Sequence, residues 1–461
     1  MLELEAERWA EQNFGSCRLG DRRRTGRAVQ YAALVAARPD GSTTEQVEKW
    51  KDLKAIYGML AKEAVTFAAL TQPHFELTRQ RCGQQRHVLL IEDTTEVNFN
   101  HRAEIAGLGM LQHEKHQGFL LHSALAVDAA SDEVLGLAAQ TIRHRRRVKR
   151  EHANRRLQRE DRESRLWGDV IDQVGPPPDK VQFTHVCDRG ADNFEVLCHF
   201  VKQHSDFVVR AAQLTRTGEV AGEKLSLQEA VAAAPLLGTY QVQVPASKNQ
   251  QTRMALMEVR AVKVTLPRPH NTTAYVKQSG IRSITLYAVE TREVKPASGW
   301  PKNQKPLHWV LLTSHVVETF QQADEVVGIY ERRWTIEEFH KGLKTGCNLE
   351  GRQYKTAHSL EAVTAILSVA AVRLLQIKTL AKREPNRAAA ELVPPAWLAA
   401  LIHVRGKPII TIRQFIRELA GLGGFLGRKS DGEPGWITLW RGFDKLNLIL
   451  RGMEIPRRRF G

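Results

Sequence analysis

Short apolar runs in the middle of the chain mark the strands that any fold of this sequence must accommodate. HVLLIEDTTEVNF, residues 87–99, is an apolar run followed by alternation, which is typical of a β-strand. FLLHSALAVDAASDEVLGLAAQTI, residues 119–142, predicts two strands around a turn at 131–133. KVQFTHVC and LHWVLLTS predict one strand each, and a helix is predicted at 193–204.

Two of these strands are predicted to finish with an aspartate. Asp93 is expected at or near the end of the first strand, and Asp188 at the end of KVQFTHVCD. A strand-terminal aspartate most often forms a turn or caps a helix. Neither residue therefore indicates a catalytic site by itself.

A third carboxylate lies in the basic segment YERRWTIEEFHKGLK, residues 330–344, which is predicted to form one helix. At about 100° per residue, a polar stripe falls opposite the apolar residues Ile336, Phe339 and Leu343. The polar stripe consists of Tyr330, Arg333, Glu337, Lys341 and Lys344. Glu338 points about 100° away and is predicted to lack basic neighbours. The same spacing also fits ordinary surface ion pairs.

The charge of the chain favours a polyanionic partner. The 461 residues include 67 Lys and Arg against 51 Asp and Glu, which gives a net charge of +16. A surplus of this size attracts nucleic acid, although many basic proteins are merely soluble. The length corresponds to about three domains.

Cysteine usage and hydropathy predict a cytoplasmic protein without a membrane partner. The five cysteines lie far apart, with no CxxC pair, which argues against a disulfide framework or a zinc site. The longest mostly apolar run, 362–372, is about half as long as a membrane span. The charged start MLELEAER does not resemble a signal peptide.

The segments on either side of the strands are predicted to be helical or strongly charged. LGDRRRTGRAVQYAALVAARP joins a basic loop to an amphipathic segment, and it fits a DNA-binding bundle or a solvated helix start equally well. The basic residues of this loop are Arg22, Arg23, Arg24 and Arg27. Residues 143–165 are predicted to form an exposed or partly disordered helix, and 238–294 short strands. A linker is predicted at 384–395, before a last helical region.

The three carboxylates suggest a common chemistry if the fold brings them together. Asp93, Asp188 and Glu337 are separated by 95 and 149 residues, so no local metal motif contains them. Three carboxylates can hold two divalent ions about 3.5–4 Å apart, which activate an attacking oxygen and stabilise a leaving one. The basic stripe beside Glu337 would then bind the phosphodiester backbone.

The sequence resembles the DDE transposases of the insertion-sequence-4 family, in the Tn5 branch. The Tyr-(2)-Arg-(3)-Glu-(6)-Lys signature of that family is matched by Tyr330, Arg333, Glu337 and Lys344. The family's strand aspartate followed by two threonines is matched at Asp93, and its D-R-x-A-D box at 188–192. The end GWITLWRGFDKL also resembles the C-terminal helices of the family.

The resemblance implies a role for each matched residue. Asp93, Asp188 and Glu337 would be the catalytic residues and would bind two Mg²⁺ or Mn²⁺ ions per active site. Trp309 matches a tryptophan that stacks on a flipped-out base, although a core position in a strand is the alternative. The implied contacts to transposon-end phosphates are Tyr330, Arg333, Lys341 and Lys344.

The resemblance also implies the architecture. It predicts an α/β fold in which a ribonuclease-H-like catalytic core, residues 71–385, carries an all-β insertion at about 205–306. A helical DNA-binding domain at 1–70 and a helical dimerisation domain at 386–461 would flank this core. The resemblance further implies that the protein works as a homodimer in a synaptic complex. Its location would be the bacterial cytoplasm, at the nucleoid when it is bound to DNA.

The implied reaction is cut-and-paste transposition of double-stranded DNA. Water nicks one strand at a transposon inverted repeat, and the freed 3′-hydroxyl attacks the opposite strand to form a hairpin. The hairpin is reopened, and the 3′ ends are joined to target DNA. A catalytically silent DNA-binding protein and a structure-selective nuclease that never joins ends are the rival hypotheses.

Some residues depart from the family pattern or stay outside it. Gly190 stands where the box usually has Glu, which removes a carboxylate near Asp188. His113, His116 and His340 are interpreted as exposed and inert.

Overall fold

The computed structural model of the chain describes residues 5–100, 104–111, 116–145, 157–244, 252–295, 306–428 and 431–454. Within these ranges the chain is a mixed α/β protein with one large sheet and helices towards both termini. The strands are β1 (His87–Asn98), β2 (Gly109–Met110), β3 (Gln117–Asp128), β4 (Val134–Arg143), β5 (Gln182–Cys187), β6 (Asp206–Arg210), β7 (Thr217–Val220), β8 (Glu223–Ser226), β9 (Leu236–Val244), β10 (Arg253–Pro267), β11 (Ser283–Glu293) and β12 (His308–Thr313).

Strand β1 organises the first half of the sheet. The strand order is β2-β3-β1-β5-β6-β12-β11-β10-β7-β8, with β4 beside β3 and β9 beside β10. β1 pairs antiparallel with β3 and parallel with β5, and β5 pairs parallel with β6. The predicted end of the first strand near Asp93 is wrong, because the pairing with β3 continues to Asn98. What stops at Asp93 is the pairing with β5, whose last pair joins Glu92 to Cys187.

The predicted insertion at about 205–306 is not all-β. α8 (Leu227–Ala233) and α9 (Ala274–Ser279) interrupt its strands. A Ser226–Glu229 capping box starts α8, a local signal that competes with the surrounding alternation. β6 belongs to the central sheet, and β10 and β11 extend the same sheet.

Among the described residues, five helices precede the sheet, and three besides α8 lie between its strands before residue 280. The first five are α1 (Ala6–Phe14), α2 (Arg22–Ala37), α3 (Thr43–Gln46), α4 (Trp50–Leu60) and α5 (Phe67–Cys82), and the others are α6 (Arg165–Val174), α7 (Phe194–Lys202) and α9. Arg22, Arg23 and Arg24 form the first turn of α2 rather than a loop. Asp21 caps this helix by accepting a hydrogen bond from the Arg23 amide, as its position before a helical run requires.

The segment at 330–344 is not one continuous helix. α10 (Phe320–Glu331) ends first, then α11 (Trp334–Lys341) runs into a π-helix at Gly342–Gly346. Between α10 and α11, backbone amides bond to carbonyls three residues back, and this tighter turn offsets the helices. Tyr330 therefore lies in the last turn of α10 and is buried, outside the polar stripe of α11. The apolar stripe is confirmed, since Ile336, Phe339 and Leu343 are fully buried.

α12 (Ala357–Arg383) is the central helix of the core. In the described part of the chain it is the one helix long and apolar enough to cross a membrane by length and composition. Its apolar window is 89% buried within the protein, as for the core helix of a globular domain. The predicted C-terminal helices follow as α13 (Pro395–Arg405), α14 (Ile412–Leu422) and α15 (Trp436–Glu454).

The charged segment predicted to be a helix at 143–165 is only partly described, since 146–156 lie outside the described residues. Most of its described C-terminal part consists of turns. Two of its described arginines are paired rather than simply solvated: Arg143 with Asp169 at 2.6 Å, and Arg162 with the buried Glu195.

His74 on α5 is a buried imidazole with both nitrogens engaged. Its Nδ1 lies 2.7 Å from Asn13 Oδ1, and its Nε2 accepts a hydrogen bond from the Leu137 amide at 3.0 Å. This pattern requires the neutral ring with its proton on Nδ1. Burial, assisted by the positive charge of Arg81, lowers the pKa of His74 to about 3.

His74 should make the protein acid-sensitive. The unfolded chain protonates this ring below about pH 6.5, whereas the folded chain keeps it neutral. Stability is therefore lost as pH falls, by about 1.4 kcal/mol per pH unit from this group between about pH 6 and pH 4. Urea unfolding at pH 7, 6 and 5 measures the slope. We expect His74→Gln to flatten it by that amount, and an equal slope would contradict this assignment.

Candidate active site

The two aspartates lie side by side where the parallel strands β1 and β5 part. Asp93 and Asp188 each follow directly after the last β1–β5 pair, Glu92 and Cys187. Burial and the negative charge of Asp188 raise the pKa of Asp93 to about 6. The fold thus brings together two carboxylates 95 residues apart, at an energetic cost to the ionised form of Asp93.

Asp188 also has the local role that its type predicts. It caps the short 3₁₀ turn Arg189–Ala191, and its Oδ1 accepts a hydrogen bond from the Gly190 amide at 2.7 Å. The turn-former interpretation is therefore confirmed. It leaves the carboxylate beside Asp93, so the two interpretations do not exclude each other.

Arg333 joins the third carboxylate to the first. Its Nη1 donates to Asp93 Oδ2 at 3.2 Å, and its Nη2 forms an ion pair with Glu337. The Arg333–Glu337 pair is the predicted i,i+4 ion pair. It is not an isolated surface pair, because Arg333 also contacts Asp93. The guanidinium is only 18% exposed. Arg333 therefore links Asp93 to Glu337, and Asp188 lies beside Asp93.

The donor chemistry of this cluster fits a hard divalent cation, because all three side chains offer carboxylate oxygens. The raised pKa of Asp93 shows that its ionised form lacks full compensation by positive charge. With Arg333 between Asp93 and Glu337, no three His, Cys, Asp or Glu side chains among the described residues converge as a formed metal site. Convergence would require Arg333 to exchange its carboxylate partners for other anions.

An aromatic pair and a further arginine border the carboxylates. Trp309 on β12 meets Tyr330 edge to face, with ring centroids 5.5 Å apart. Trp309 is partly buried and packs on the core, so a strand-core role accounts for part of its surface. Arg210, at the end of β6, hydrogen-bonds Tyr330 and also reaches the His308 carbonyl at 3.4 Å. Sequence reasoning missed Arg210, although a basic residue ending the apolar strand DFVVR was a signal.

The two lysines of the polar stripe have different surroundings. Lys341 is exposed on α11. Lys344 lies in the π-helix, with its Nζ 3.7 Å from Glu350 Oε1. Glu350 is fixed by the Asn98 amide, which donates to the same oxygen at 3.0 Å. Lys344 is therefore held near the Asn98 end of β1.

The prediction that Glu338 lacks basic neighbours is wrong. It forms an ion pair with Lys378 of α12 and accepts a hydrogen bond from Trp436 Nε1 at 2.9 Å. The helical rotation of about 100° per residue correctly places Glu338 on a different face from Glu337. It cannot show which residues of a distant helix pack on that face.

Gly190 packs against a tryptophan. A Cβ at this position would lie 2.9 Å from the Trp167 ring, which is buried and meets His122 edge to face at 4.4 Å. A side chain at position 190 would force Trp167 to move. The glycine that replaces the family's glutamate is thus explained by packing.

The N-terminal arginines divide into two groups. Arg22 and Arg23 are exposed on α2. Arg24 donates to the Leu19 carbonyl at 3.0 Å, and Arg27 pairs with Asp52 at 3.0 Å. The first two present charge to solvent, whereas the last two stabilise the helical bundle.

The histidines set aside from the sequence have unequal positions. His340 is buried, which corrects the expectation that it is exposed, and burial lowers its pKa to about 3. His116 is half-buried, and His113 lies outside the described residues.

Comparison with known protein families gives two matches, one at each end of the chain. Residues 6–65 match a family described as transposase DNA-binding. Residues 369–459 match a family described as the transposase Tn5 dimerisation domain. The first match covers α1 to α4, and the second begins inside α12 and continues through α15.

Proposed function

The chain belongs to the Tn5-type transposases, and on that premise we propose that it performs cut-and-paste DNA transposition through a hairpin intermediate. The two terminal domains make it a DNA-binding, dimerising enzyme that cuts and joins DNA. The proposal adds that it binds the inverted-repeat ends of a transposon, frees them, and joins their 3′ ends to target DNA.

The observation that carries the proposal is that Asp93 lies beside Asp188 and is linked to Glu337 through Arg333. Three acids spread over the chain lie beside basic residues in a protein with a net charge of +16. The mixed sheet of β4, β3, β1, β5 and β6, with α12 against it, supports a ribonuclease-H-like core at 71–385.

In this proposal the three carboxylates would hold two Mg²⁺ or Mn²⁺ ions, which supply Lewis-acid activation of the attacking oxygen and stabilise the leaving oxygen. Arg333 keeps Asp93 and Glu337 paired with positive charge while DNA is absent. When a phosphate of the transposon end approaches, its oxygens replace the carboxylates as partners of the guanidinium, which suits bidentate phosphate binding.

Basic and aromatic residues around the carboxylates and on the DNA-binding domain orient the DNA. Lys344 and Lys341 bind backbone phosphates, and Arg210 lies against the Tyr330 hydroxyl. The exposed part of the Trp309 indole is available to a base turned out of the helix, since an indole replaces lost base stacking. Arg22 and Arg23 contact the transposon end from the DNA-binding domain.

Lys344→Ala should weaken binding of transposon-end DNA and reduce its salt dependence. Loss of one phosphate contact lowers the slope of log K against log salt by about one. Fluorescence anisotropy over a salt series measures both quantities. Lys407→Ala is the matched control, because Lys407 forms a surface pair with Glu418 at 2.7 Å in the C-terminal region. Parent-like affinity and slope for Lys344→Ala would remove this lysine from the DNA interface.

A strand-transfer assay tests the proposed function against its rivals. Purified protein is incubated with Mg²⁺ or Mn²⁺, precut transposon ends and a plasmid target. A transposase inserts the ends into the plasmid, a structure-selective nuclease cuts without joining, and a silent DNA-binding protein does neither. The ends are taken from the inverted repeats that flank the gene.

A further inference from the structure

Glu338, the neighbour of Glu337, connects the catalytic helix to the C-terminal helices. Its Oε2 pairs with Lys378 on α12 and accepts the Trp436 Nε1 hydrogen bond from α15 at 2.9 Å. The Lys378 ammonium also lies 4.5 Å from the centroid of the Trp436 ring. We call this three-way contact of Glu338, Lys378 and Trp436 the Glu338 joint.

The Glu338 joint is shielded enough for its contacts to hold. Trp436 is 3% exposed, and the Glu338 and Lys378 side chains are about three-quarters buried. Burial alone would raise the pKa of Glu338, but Lys378 and the indole hydrogen bond outweigh it and hold that pKa below its usual range. Hydrogen bonds to an ionised carboxylate are roughly twice as strong as neutral ones.

The indole of Trp436 contacts the 334–346 segment at a second point, Gly342. A Cβ on Gly342 would lie 3.5 Å from the Trp436 ring, so the ring packs directly on the backbone where α11 passes into the π-helix. Lys344 follows two residues later. One side chain of α15 therefore contacts both the helix that carries Glu337 and the turn that carries Lys344.

We infer that the Glu338 joint is a positioning device through which the docked α15 fixes the orientation of α11 and so aims Glu337. Glu338, Lys378 and Trp436 are positioning residues in this scheme, and they touch neither the DNA nor the reacting atoms. Misplacement by about 1 Å can reduce a rate about a hundredfold. Cleavage would therefore require α15 to be docked, whereas end recognition by the N-terminal helices would not. This inference rests on the proposed function.

Single-turnover kinetics test the inference. Trp436→Phe keeps the packing but removes the indole donor, Glu338→Gln keeps an acceptor but removes the charge, and Lys378→Met removes the cation. We expect each to slow nicking of end DNA by about tenfold to a hundredfold, with end-binding affinity unchanged within about twofold. The effects of Glu338→Gln and Lys378→Met should be less than additive, because both break the same contact.

Glu418→Gln is the matched control, since Glu418 pairs with Arg405 and Lys407 within the C-terminal helices and does not contact α11. It should leave nicking unchanged. If Glu338→Gln and Lys378→Met nick at the parent rate, the positioning role is wrong. If the parent itself makes no nicked or joined product, the proposed function fails instead.

Hydrogen exchange provides a readout that needs neither DNA nor metal. Trp436→Phe should accelerate exchange of the amides at 334–346, a segment almost a hundred residues away in sequence, while Glu418→Gln should not. Unchanged exchange at 334–346 in both Trp436→Phe and Lys378→Met would overturn the inference even if the enzyme is active.

Discussion

Asp93→Asn should abolish strand cleavage and, at pH 7, raise the free energy of unfolding. The carboxylate of Asp93 is largely shielded from solvent and lies beside Asp188, and both effects raise its pKa to about 6. Its reference pKa in an unfolded chain is about 3.9. Above pH 6 the folded chain therefore carries a charge that it disfavours, and stability increases as pH falls from about 6 towards 4. Removing the charge should stabilise the fold by about 1–3 kcal/mol at pH 7.

The same substitution, Asp93→Asn, should lower the nicking rate although it raises the free energy of unfolding. Without the Asp93 carboxylate the proposed metal ligands are incomplete, and we expect nicking to fall by about a thousandfold or more, as for loss of a central catalytic group. Asp188→Asn and Glu337→Gln should cause similar losses. End binding should persist in all three variants, because Arg333 and Lys344 remain. Single-turnover nicking, end-binding anisotropy and urea unfolding on the same preparations separate these effects.

Asp132→Asn is a suitable control for the charge change. Asp132 is an exposed aspartate paired with Arg332 at 2.7 Å, and its positive φ of 57° is one that asparagine adopts readily. It should alter neither nicking nor stability beyond about 0.5 kcal/mol. An Asp93→Asn protein that nicks at the parent rate would remove the carboxylate cluster from catalysis. If Asp93→Asn lowers the free energy of unfolding, the negative charge of Asp93 is better compensated by its neighbours than its raised pKa indicates.

The residues of the site could be predicted from the sequence because the resemblance rests on spacing. It identified Asp93, Asp188 and Glu337, and the fold places Asp93 beside Asp188 and links it to Glu337 through Arg333. Their roles and the metals remain predictions. The strands at 119–142 and the strand ending before Asp188 were confirmed, since apolar runs bounded by turn residues are strong local signals.

Contacts between distant segments could not be predicted. A helical wheel assumes one axis, so it failed at the tight turn before α11, and it assigned Tyr330 to a stripe that this residue does not join. It also treated the face of Glu338 as empty, because Lys378 and Trp436 come from helices 40 and 98 residues away. Side-chain partners across such distances depend on packing, which local periodicity does not encode.

A buried charge cluster directly behind Asp93 was overlooked as well. Glu92 is fully buried on the opposite face of β1, where it forms an ion pair with His185, and its Oε2 lies 3.3 Å from His122 Nε2. His122 in turn bonds Thr94 through Nδ1 at 2.7 Å. Single histidines within the apolar runs FLLHSALAV and QFTHVC were the available signal.

Glu92→Ala should be among the most destabilising single substitutions in the protein. Burial works to raise the pKa of Glu92, but the charge of His185 and the hydrogen bonds of both histidines outweigh it and hold that pKa below its usual range. The group is therefore ionised in the folded chain at pH 7. Removing one partner of a buried ion pair strands the others without compensation, which costs about 3–5 kcal/mol. Urea unfolding at pH 7 measures the loss.

Glu92→Gln distinguishes charge from shape at this position. The amide keeps the size and one acceptor oxygen, so it should preserve the packing but not the ionic interaction. The free energy of unfolding of Glu92→Gln should therefore lie between those of the parent and Glu92→Ala. Glu219→Ala, at an exposed strand position on β7, should stay within about 0.5 kcal/mol of the parent. The stabilisation from Glu92 should also vanish as pH falls through its depressed pKa, below the unfolded value of about 4.3. If Glu92→Ala unfolds at the parent urea concentration, the cluster contributes nothing net, and the support that it gives to β1 behind Asp93 must come from apolar packing alone.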